Sequence, residues 1–278
     1  MILVIGGGSR TGRELLRLLR GAGARLRVLT REAGPADGPD TVVGDLGEPG
    51  TLDRAMAGVD KVFLLCSAAP RELAWHQNAI DAAARAGVAL LVRSSILAAS
   101  PDSPSRFIRD HGRADEHLRA SGVPYTIVRP NFYMHNVTAL WPAALDQEGN
   151  YYAPAGDARI SMVDARDVAA VAARALTGDG HSGKVYDVTG PEALGHAEAC
   201  RKLGSQLGRP VRYVPVEDAV ARSAMLSAGV GGWLADGLVE LYQDYRRSGT
   251  GGYAAQVHST VLDVTGAKPR TLDEALAG

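Results

Sequence analysis

Cysteine is nearly absent from this 278-residue chain: Cys66 and Cys200 are the two present, and they stand far apart. That excludes a disulfide framework, a cysteine-based metal site and a Cys-x-x-Cys redox motif. It suits a reducing compartment, so a cytoplasmic location is expected and no metal. Net charge is equally scarce, with 30 basic against 31 acidic residues. Such a balance offers no electrostatic footprint for nucleic acid, which is not expected as a partner. Hydrophobic residues make up 46%, yet no apolar run approaches the roughly 18 residues of a membrane span. No basic segment followed by an apolar stretch and a cleavage site is visible, so neither a secretory signal nor a membrane partner is expected. The length suffices for one large α/β domain, or a domain with a smaller lobe.

What is present begins at once. Residues 1–13 read Met-Ile-Leu-Val-Ile-Gly-Gly-Gly-Ser-Arg-Thr-Gly-Arg, and helical spacing continues through Glu14-Leu-Leu-Arg-Leu-Leu. An apolar strand, a glycine turn and a helix start, in that order, make a dinucleotide pyrophosphate site. Glycines let backbone approach the phosphates, while free helix N–H groups and the positive dipole end attract the anion. Gly6-x-x-Ser9-x-x-Gly12 fits a G-x-x-G-x-x-G loop with serine at the middle glycine; strict G-x-G-x-x-G fails because Thr11 takes the third glycine's place. Gly6, Gly8, Ser9, Arg10, Thr11 and Gly12 are the candidate phosphate-binding residues.

Strand and helix alternate through the first half. The pattern predicts strands at 2–5, 25–30, 41–44, 61–66, 88–93 and 125–129, with helices near 11–22, 49–57, 71–86 and 106–121. A helix at 164–176 and a strand at 184–188 extend the same series. Short apolar runs joined by such helices imply a doubly wound parallel sheet of Rossmann type. From about 190 the signal turns helical (197–208, 217–228, 232–247) with one strand at 211–214. The expected division is a nucleotide-binding core over 1–190 and a small, mostly helical lobe over 191–278. An irregular insertion at 131–160, rich in Tyr, Asn, Pro and Gly, should cover the carboxyl ends of the strands, where open α/β sheets bind ligands.

Nucleotide choice follows from charge at the end of the second strand. An acidic residue there accepts from the ribose 2′-OH of NAD, whereas a cation suits the 2′-phosphate of NADP. Here Leu26-Arg-Val-Leu-Thr30 runs into Arg31, and Arg10 lies inside the loop. A guanidinium forks two phosphate oxygens, so NADP(H) is expected over NAD(H). Arg31 and Arg10 would face the 2′-phosphate with Thr30 also in the nucleotide site, Asp45 and Leu46 the adenine, and Cys66, Ser67 and Pro70 the riboses. Cys66 is expected to supply packing and shape, since no base or cation is near it in sequence.

In order along the chain stand the Gly6–Gly12 loop, Val43-Gly-Asp-Leu46, Ser121-Gly-Val-Pro-Tyr-Thr-Ile-Val-Arg-Pro130 with Asn131 and Asn136, Met162-Val-Asp-Ala-Arg-Asp-Val168, Tyr186-Asp-Val-Thr-Gly-Pro191 and Thr265-Gly-Ala-Lys-Pro-Arg-Thr271. Together they resemble the NmrA-like, or atypical, branch of the short-chain dehydrogenase/reductase superfamily over nearly the whole length. The resemblance implies NAD(P) binding and, in most bacterial members, reduction of quinones, dyes or conjugated carbonyls. It also takes in members that bind the nucleotide as a signal and catalyse nothing, so fold alone does not settle function.

The superfamily's usual Tyr-x-x-x-Lys pair is missing, since none of the nine tyrosines has lysine four positions on. His111 and Asp115 share that i, i+4 spacing on a predicted helix, and related bacterial reductases carry a histidine at this place. The expectation is that Asp115 orients the His111 ring and stabilises its charged form as proton donor. Ser94 and Ser95 end the fifth strand, where the superfamily keeps a hydroxyl for the substrate carbonyl or the nicotinamide amide. Arg106, Arg109 and Arg113 read as a solvated helix face, Arg129 as structural, and Asp164 and Asp167 as helix N-terminal carboxylates. Asn131, Phe132, Tyr133, Met134 and Asn136 suit a flat, mostly apolar small molecule, with Trp141, Tyr151 and Tyr152 lining the mouth.

The expected function is hydride transfer from NADPH to a quinone, enone or other conjugated carbonyl, with His111, Ser94 or water supplying the proton, in a monomer or homodimer. The alternatives are a non-catalytic NADP sensor and an isomerase or cyclase on the same fold.

Overall fold

The structure, a computed structural model, describes residues 1–32 and 40–278. Chain order in the first half is β1 (Ile2–Ile5), α1 (Arg10–Gly21), β2 (Leu26–Thr30), β3 (Thr41–Val43), α2 (Pro49–Met56), β4 (Lys61–Leu64), α3 (Glu72–Arg85), β5 (Leu90–Ser94), α4 (Arg106–Ala120) and β6 (Tyr125–Pro130). Then follow β7 (Asn150–Ala153), β8 (Arg159–Ile160), α5 (Ala165–Thr177), β9 (Lys184–Val188), β10 (Leu194–Gly195), α6 (His196–Leu207), β11 (Arg212–Pro215), α7 (Asp218–Ser227), α8 (Gly232–Ser248), α9 (Thr260–Thr265) and α10 (Leu272–Ala277).

Seven parallel strands lie in the order β3-β2-β1-β4-β5-β6-β9. This is the expected Rossmann-type sheet, and its strand order reverses between β1 and β4. The central strands β1, β4 and β5 are buried on both faces, which is why β1 is a continuous apolar run rather than an alternating one. Leu3, Leu64 and Leu91 pack with α2 and α3 on one face, while Val4, Phe63 and Val92 pack with α1 and α5 on the other.

The insertion is more regular than expected. Residues 136–140 form one π-helical turn and 141–144 a 3₁₀ turn, and β7 follows. β7 pairs in parallel with β11 across the boundary drawn at 190, in register from Asn150↔Arg212 to Ala153↔Pro215. β8 likewise pairs with β10. Insertion and C-terminal lobe therefore share one core, in which Met134, Val137, Trp141 and Tyr151 meet Leu203, Leu241 and Tyr242. A local reading misses β7 because its partner lies about sixty residues away and its alternation is only four residues long.

Candidate active site

At the carboxyl end of β1 the glycines divide their work. Gly6 holds φ +86°, and a Cβ there would meet the Leu65 carbonyl at 2.4 Å. A Cβ on Gly12 would lie 2.1 Å from the Gly6 carbonyl, so loop and helix start can touch only without it. Gly8 has open space instead and is exposed, leaving its backbone free for a ligand. Ser9, at the middle glycine's place, caps α1 by accepting from Gly12 N at 2.9 Å. This cradle beside the switch between β1 and β4 fits a dinucleotide pyrophosphate.

The remaining nucleotide candidates surround it. Arg10 and Arg31 both present exposed side chains, and Thr30 is half-buried and donates to the Glu32 carbonyl at 2.9 Å. Asp45 shapes the turn after β3, its Oδ1 accepting from Gly47 N at 2.6 Å. Asn78 of α3 donates to the Leu46 carbonyl at 2.8 Å, pinning that turn; sequence reading had overlooked it. Ser67 is exposed above β4. Cys66 turns inward, 3.7 Å from His76 Nδ1, and burial pushes its thiol well above its ordinary range, with the Glu72 carboxylate adding to the effect. It is a packing residue, not a nucleophile.

The His111–Asp115 pair does not form. Asp115 is fully buried, and its carboxylate bonds the guanidinium of Arg93, itself fully buried, and that of Arg129 at 2.8 Å. Two cations inside the sheet-facing layer draw the carboxylate more strongly than one imidazole at the helix surface does. His111 instead places Nδ1 2.8 Å from Arg93 Nη2 and Nε2 3.2 Å from Glu72 Oε1. Arg93 Nε also reaches His76 Nδ1 at 3.4 Å. Since arginine only donates, both histidines carry their proton on Nε2, the atom each turns toward Glu72. Burial, then Arg93, push His76 down to about 3, so it stays neutral. Burial alone would raise the Glu72 carboxyl; the facing imidazoles of His111 and His76 outweigh it and hold the group below its ordinary range.

Glu72, His76 and His111 are the group whose donor atoms come within 4.8 Å of one another among the described residues. They do not suit a cation. The Nδ1 atoms would need N–H groups facing acceptors, but both face the Arg93 guanidinium, which also opposes a second positive charge. The cluster holds protons.

Ser94 follows Arg93 in β5 and so points to the opposite face of the sheet. There it meets Tyr133, delivered by a bridge between Tyr133 and Val163 and by the Met134 N bond to the Val163 carbonyl at 2.9 Å. Thr11 Oγ1 donates to the Tyr133 hydroxyl at 3.5 Å, and Ser94 faces the same phenol. His135 stacks on the Tyr133 ring at 4.9 Å. Phe132 packs partly buried at the lobe's core, and Asn136 is half-buried at the start of the π-helical turn.

Several expected substrate contacts are structural instead. Met134 is 1% exposed, in the shared core. Asn131 is buried and donates to Ser161 Oγ and the Ala254 carbonyl, each at 2.9 Å, which ties β6 to the lobe. Trp141 and Tyr151 are buried and stack at 4.1 Å, whereas Tyr152 is exposed. Arg106 is not a solvated side chain but forks Glu240 of α8 at 3.0 and 2.6 Å. Asp164 caps α5 through Arg166 N, and Asp167 accepts from Arg270 N, as helix carboxylates.

A glycine cradle at the switch point of a seven-stranded parallel sheet, with the hydroxyls of Thr11, Tyr133 and Ser94 gathered beside it, defines a dinucleotide-binding α/β protein. Residues 1–274 match the model of the NmrA-like family, and the chain belongs to that family. It is 40% identical to an NAD(P)H azoreductase of Xenophilus azovorans, over 99% of this chain and 96% of that one. Identity is 39% to a (4-alkanoyl-5-oxo-2,5-dihydrofuran-3-yl)methyl phosphate reductase of Streptomyces griseus, over 97% and 94% of the two chains. The NADPH-dependent quinone oxidoreductase QOR2 of Escherichia coli, solved with NADPH, superposes with a TM-score of 0.89 at 29% identity, covering 100% of this chain and 99% of that one.

Proposed function

We propose that this protein uses NADPH to reduce a conjugated, mostly planar acceptor, a quinone, an enone or an azo compound. The chain is an NAD(P)H-dependent oxidoreductase; the acceptor class and the preference for the phosphorylated nucleotide are the proposal. The observation that carries it is the open Gly8 backbone in the cradle, flanked by exposed Arg10 and Arg31 and by the uncharged hydroxyl cluster of Thr11, Tyr133 and Ser94. The acceptors named for the azoreductase, the dihydrofuran phosphate reductase and the quinone oxidoreductase share a π-system that takes a hydride end-on, which supports the class.

NADPH, when bound, supplies the hydride. The protein's part is to hold the nucleotide, exclude water and support the negative charge that forms on the acceptor. The cradle's N–H groups and α1's positive end take the pyrophosphate, and Arg10 and Arg31 take the 2′-phosphate. The Ser94 hydroxyl polarises the acceptor oxygen. Conjugated acceptors delocalise the incoming pair, so they need less acid assistance than a simple ketone, in keeping with the missing Tyr-x-x-x-Lys pair.

The test is nucleotide binding by fluorescence titration alongside NADPH oxidation with a naphthoquinone, an enone and an azo dye. NADPH should bind at least about tenfold tighter than NADH, about 1.4 kcal/mol. Arg31→Ala should remove most of that difference and leave NADH nearly unchanged. Equal affinities refute the nucleotide assignment. Tight nucleotide binding without oxidation by any of the three acceptors refutes the reductase assignment and favours a sensor.

A further inference from the structure

We propose that Tyr133 is the catalytic acid, its phenol donating a proton to the reduced acceptor and regaining it through Ser94. This rests on the reductase reading above and names the proton donor of that site.

Three observations meet on this side chain. Its hydroxyl lies where the start of α1 and the end of β5 converge, 3.5 Å from Thr11 Oγ1 and facing Ser94. Its backbone is fixed from both sides, Val163 N donating to the Phe132 carbonyl and Met134 N to the Val163 carbonyl, each at 2.9 Å. The phenol's backbone is therefore fixed by its bridge to Val163, just beyond β6. The titratable candidates on α4 are engaged elsewhere. His111 has Nδ1 turned to Arg93 and Nε2 to Glu72, on the far face of β5. Asp115 is spent on two guanidiniums.

Tyr133 also keeps its proton until needed. Burial raises the phenol, and bonding to Thr11 and Ser94 offsets only part of that rise. The charged groups near it are Arg10 and Asp164, both felt by the stacked His135, which burial and Arg10 keep neutral.

Hydride from NADPH forms a C–H bond at the electrophilic carbon, and the displaced π pair becomes an oxyanion on the conjugated carbonyl. The Tyr133 O–H bond breaks as that oxyanion takes the proton. The resulting tyrosinate accepts a proton from Ser94 Oγ, which is replenished from water. NADPH is oxidised to NADP⁺ and the acceptor is reduced by two electrons.

The experiment compares wild type, Tyr133→Phe and Ser94→Ala with a naphthoquinone and an enone, and titrates 4-nitrophenolate, an oxyanion mimic, into the NADP⁺-loaded proteins by its absorbance shift. Tyr133→Phe should lower kcat on the enone about 10²-fold, the range of lost general acid catalysis, with KM changed less than about threefold. The naphthoquinone rate should fall less than about tenfold, because its reduced anion needs little proton transfer in the transition state. The alkaline limb of the enone pH profile should vanish, and 4-nitrophenolate should bind at least about tenfold more weakly, the loss of one hydrogen bond to a charged partner. Ser94→Ala should shift the same limb and weaken phenolate binding less than Tyr133→Phe does. Unchanged enone turnover and unchanged phenolate affinity in Tyr133→Phe overturn the assignment. If wild type oxidises NADPH with neither acceptor, the reductase reading has failed, and the phenolate titration by itself decides whether Tyr133 donates to an oxyanion.

Discussion

Arg93 and Ser94 are neighbours in β5, yet they open onto two different chemistries. On the α3–α4 face Arg93 gathers Asp115, Arg129, His76, His111 and Glu72 into a charged cluster, in which Arg93 and Asp115 are fully buried and His76 and Glu72 nearly so. On the α1–α5 face Ser94 meets Thr11 and Tyr133, a set of uncharged hydroxyls beside the phosphate cradle. Strand alternation alone separates them. Charges that complete one another inside the protein have little left to offer a substrate. Hydroxyls with weak mutual contacts keep donors to spare. The conspicuous titratable groups are thus structural, and the plain ones line the crevice.

The strongest way to break this division is to unbalance the charged face. Asp115→Ala leaves Arg93 buried without its principal anion and should lower stability by about 3–5 kcal/mol, as loss of one partner in a buried pair does. Chemical denaturation measures it. The surviving folded fraction should turn over at a rate per active site within about threefold of wild type, since Asp115 touches nothing in the crevice. A stable but inactive Asp115→Ala would reverse the two roles.

A smaller effect is read by pH. Buried His76 stays neutral down to about 3, while the unfolded chain protonates it near 6.5. Between those values the unfolded state binds a proton that the native state refuses, so native stability falls as pH drops below about 6.5 and the loss levels off near 3. The slope contributed is at most about 1.4 kcal/mol per pH unit. His196, also neutral down to about 3 within the lobe's aromatic core, adds a loss of the same sign. His76→Gln keeps an acceptor for Arg93 and should flatten the slope between pH 7 and 5.5, whereas Tyr133→Phe should leave it as in wild type. Equal slopes in His76→Gln and wild type would show that the charged face takes up no proton on unfolding.

The sequence carried the sheet almost whole, because each strand of a parallel sheet is a short apolar run and each crossover a helix of ordinary length. Ser9 and Gly12 were legible for a related reason, since their partners lie within six positions, whereas Gly6 also answers to the Leu65 carbonyl. The i, i+4 reading of His111 and Asp115 found two residues on one helix but not what faced them. Arg93, unremarked inside an apolar strand, and Glu72, just after a loop, come from other elements and decide the outcome. An arginine in the middle of Leu-Leu-Val-Arg-Ser was the available signal, since a buried cation demands buried anions nearby. Met134, Trp141 and Tyr151 were misplaced because β7 pairs with a strand beyond the expected boundary, and their apolar bulk fills that seam.

The finest test falls on His111, whose side chain is 15% accessible where His76 and Glu72 are nearly buried. Its nitrogens are held toward Arg93 and Glu72, so removing the ring takes no proton from the crevice. His111→Ala should therefore change kcat on either an enone or a naphthoquinone by less than about threefold, about 0.65 kcal/mol in the barrier. Glu72 would lose one imidazole neighbour but keep the other, at 3.5 Å from His76, so the local structure should hold. The comparison that sharpens the result is His111→Ala against Tyr133→Phe on the same enone across pH. A loss of about 10² or more in His111→Ala, with the alkaline limb displaced, is the signature of general acid catalysis. Such a loss would mean that the ring leaves Arg93 during turnover, and that the charged face of β5 takes part in the reaction after all.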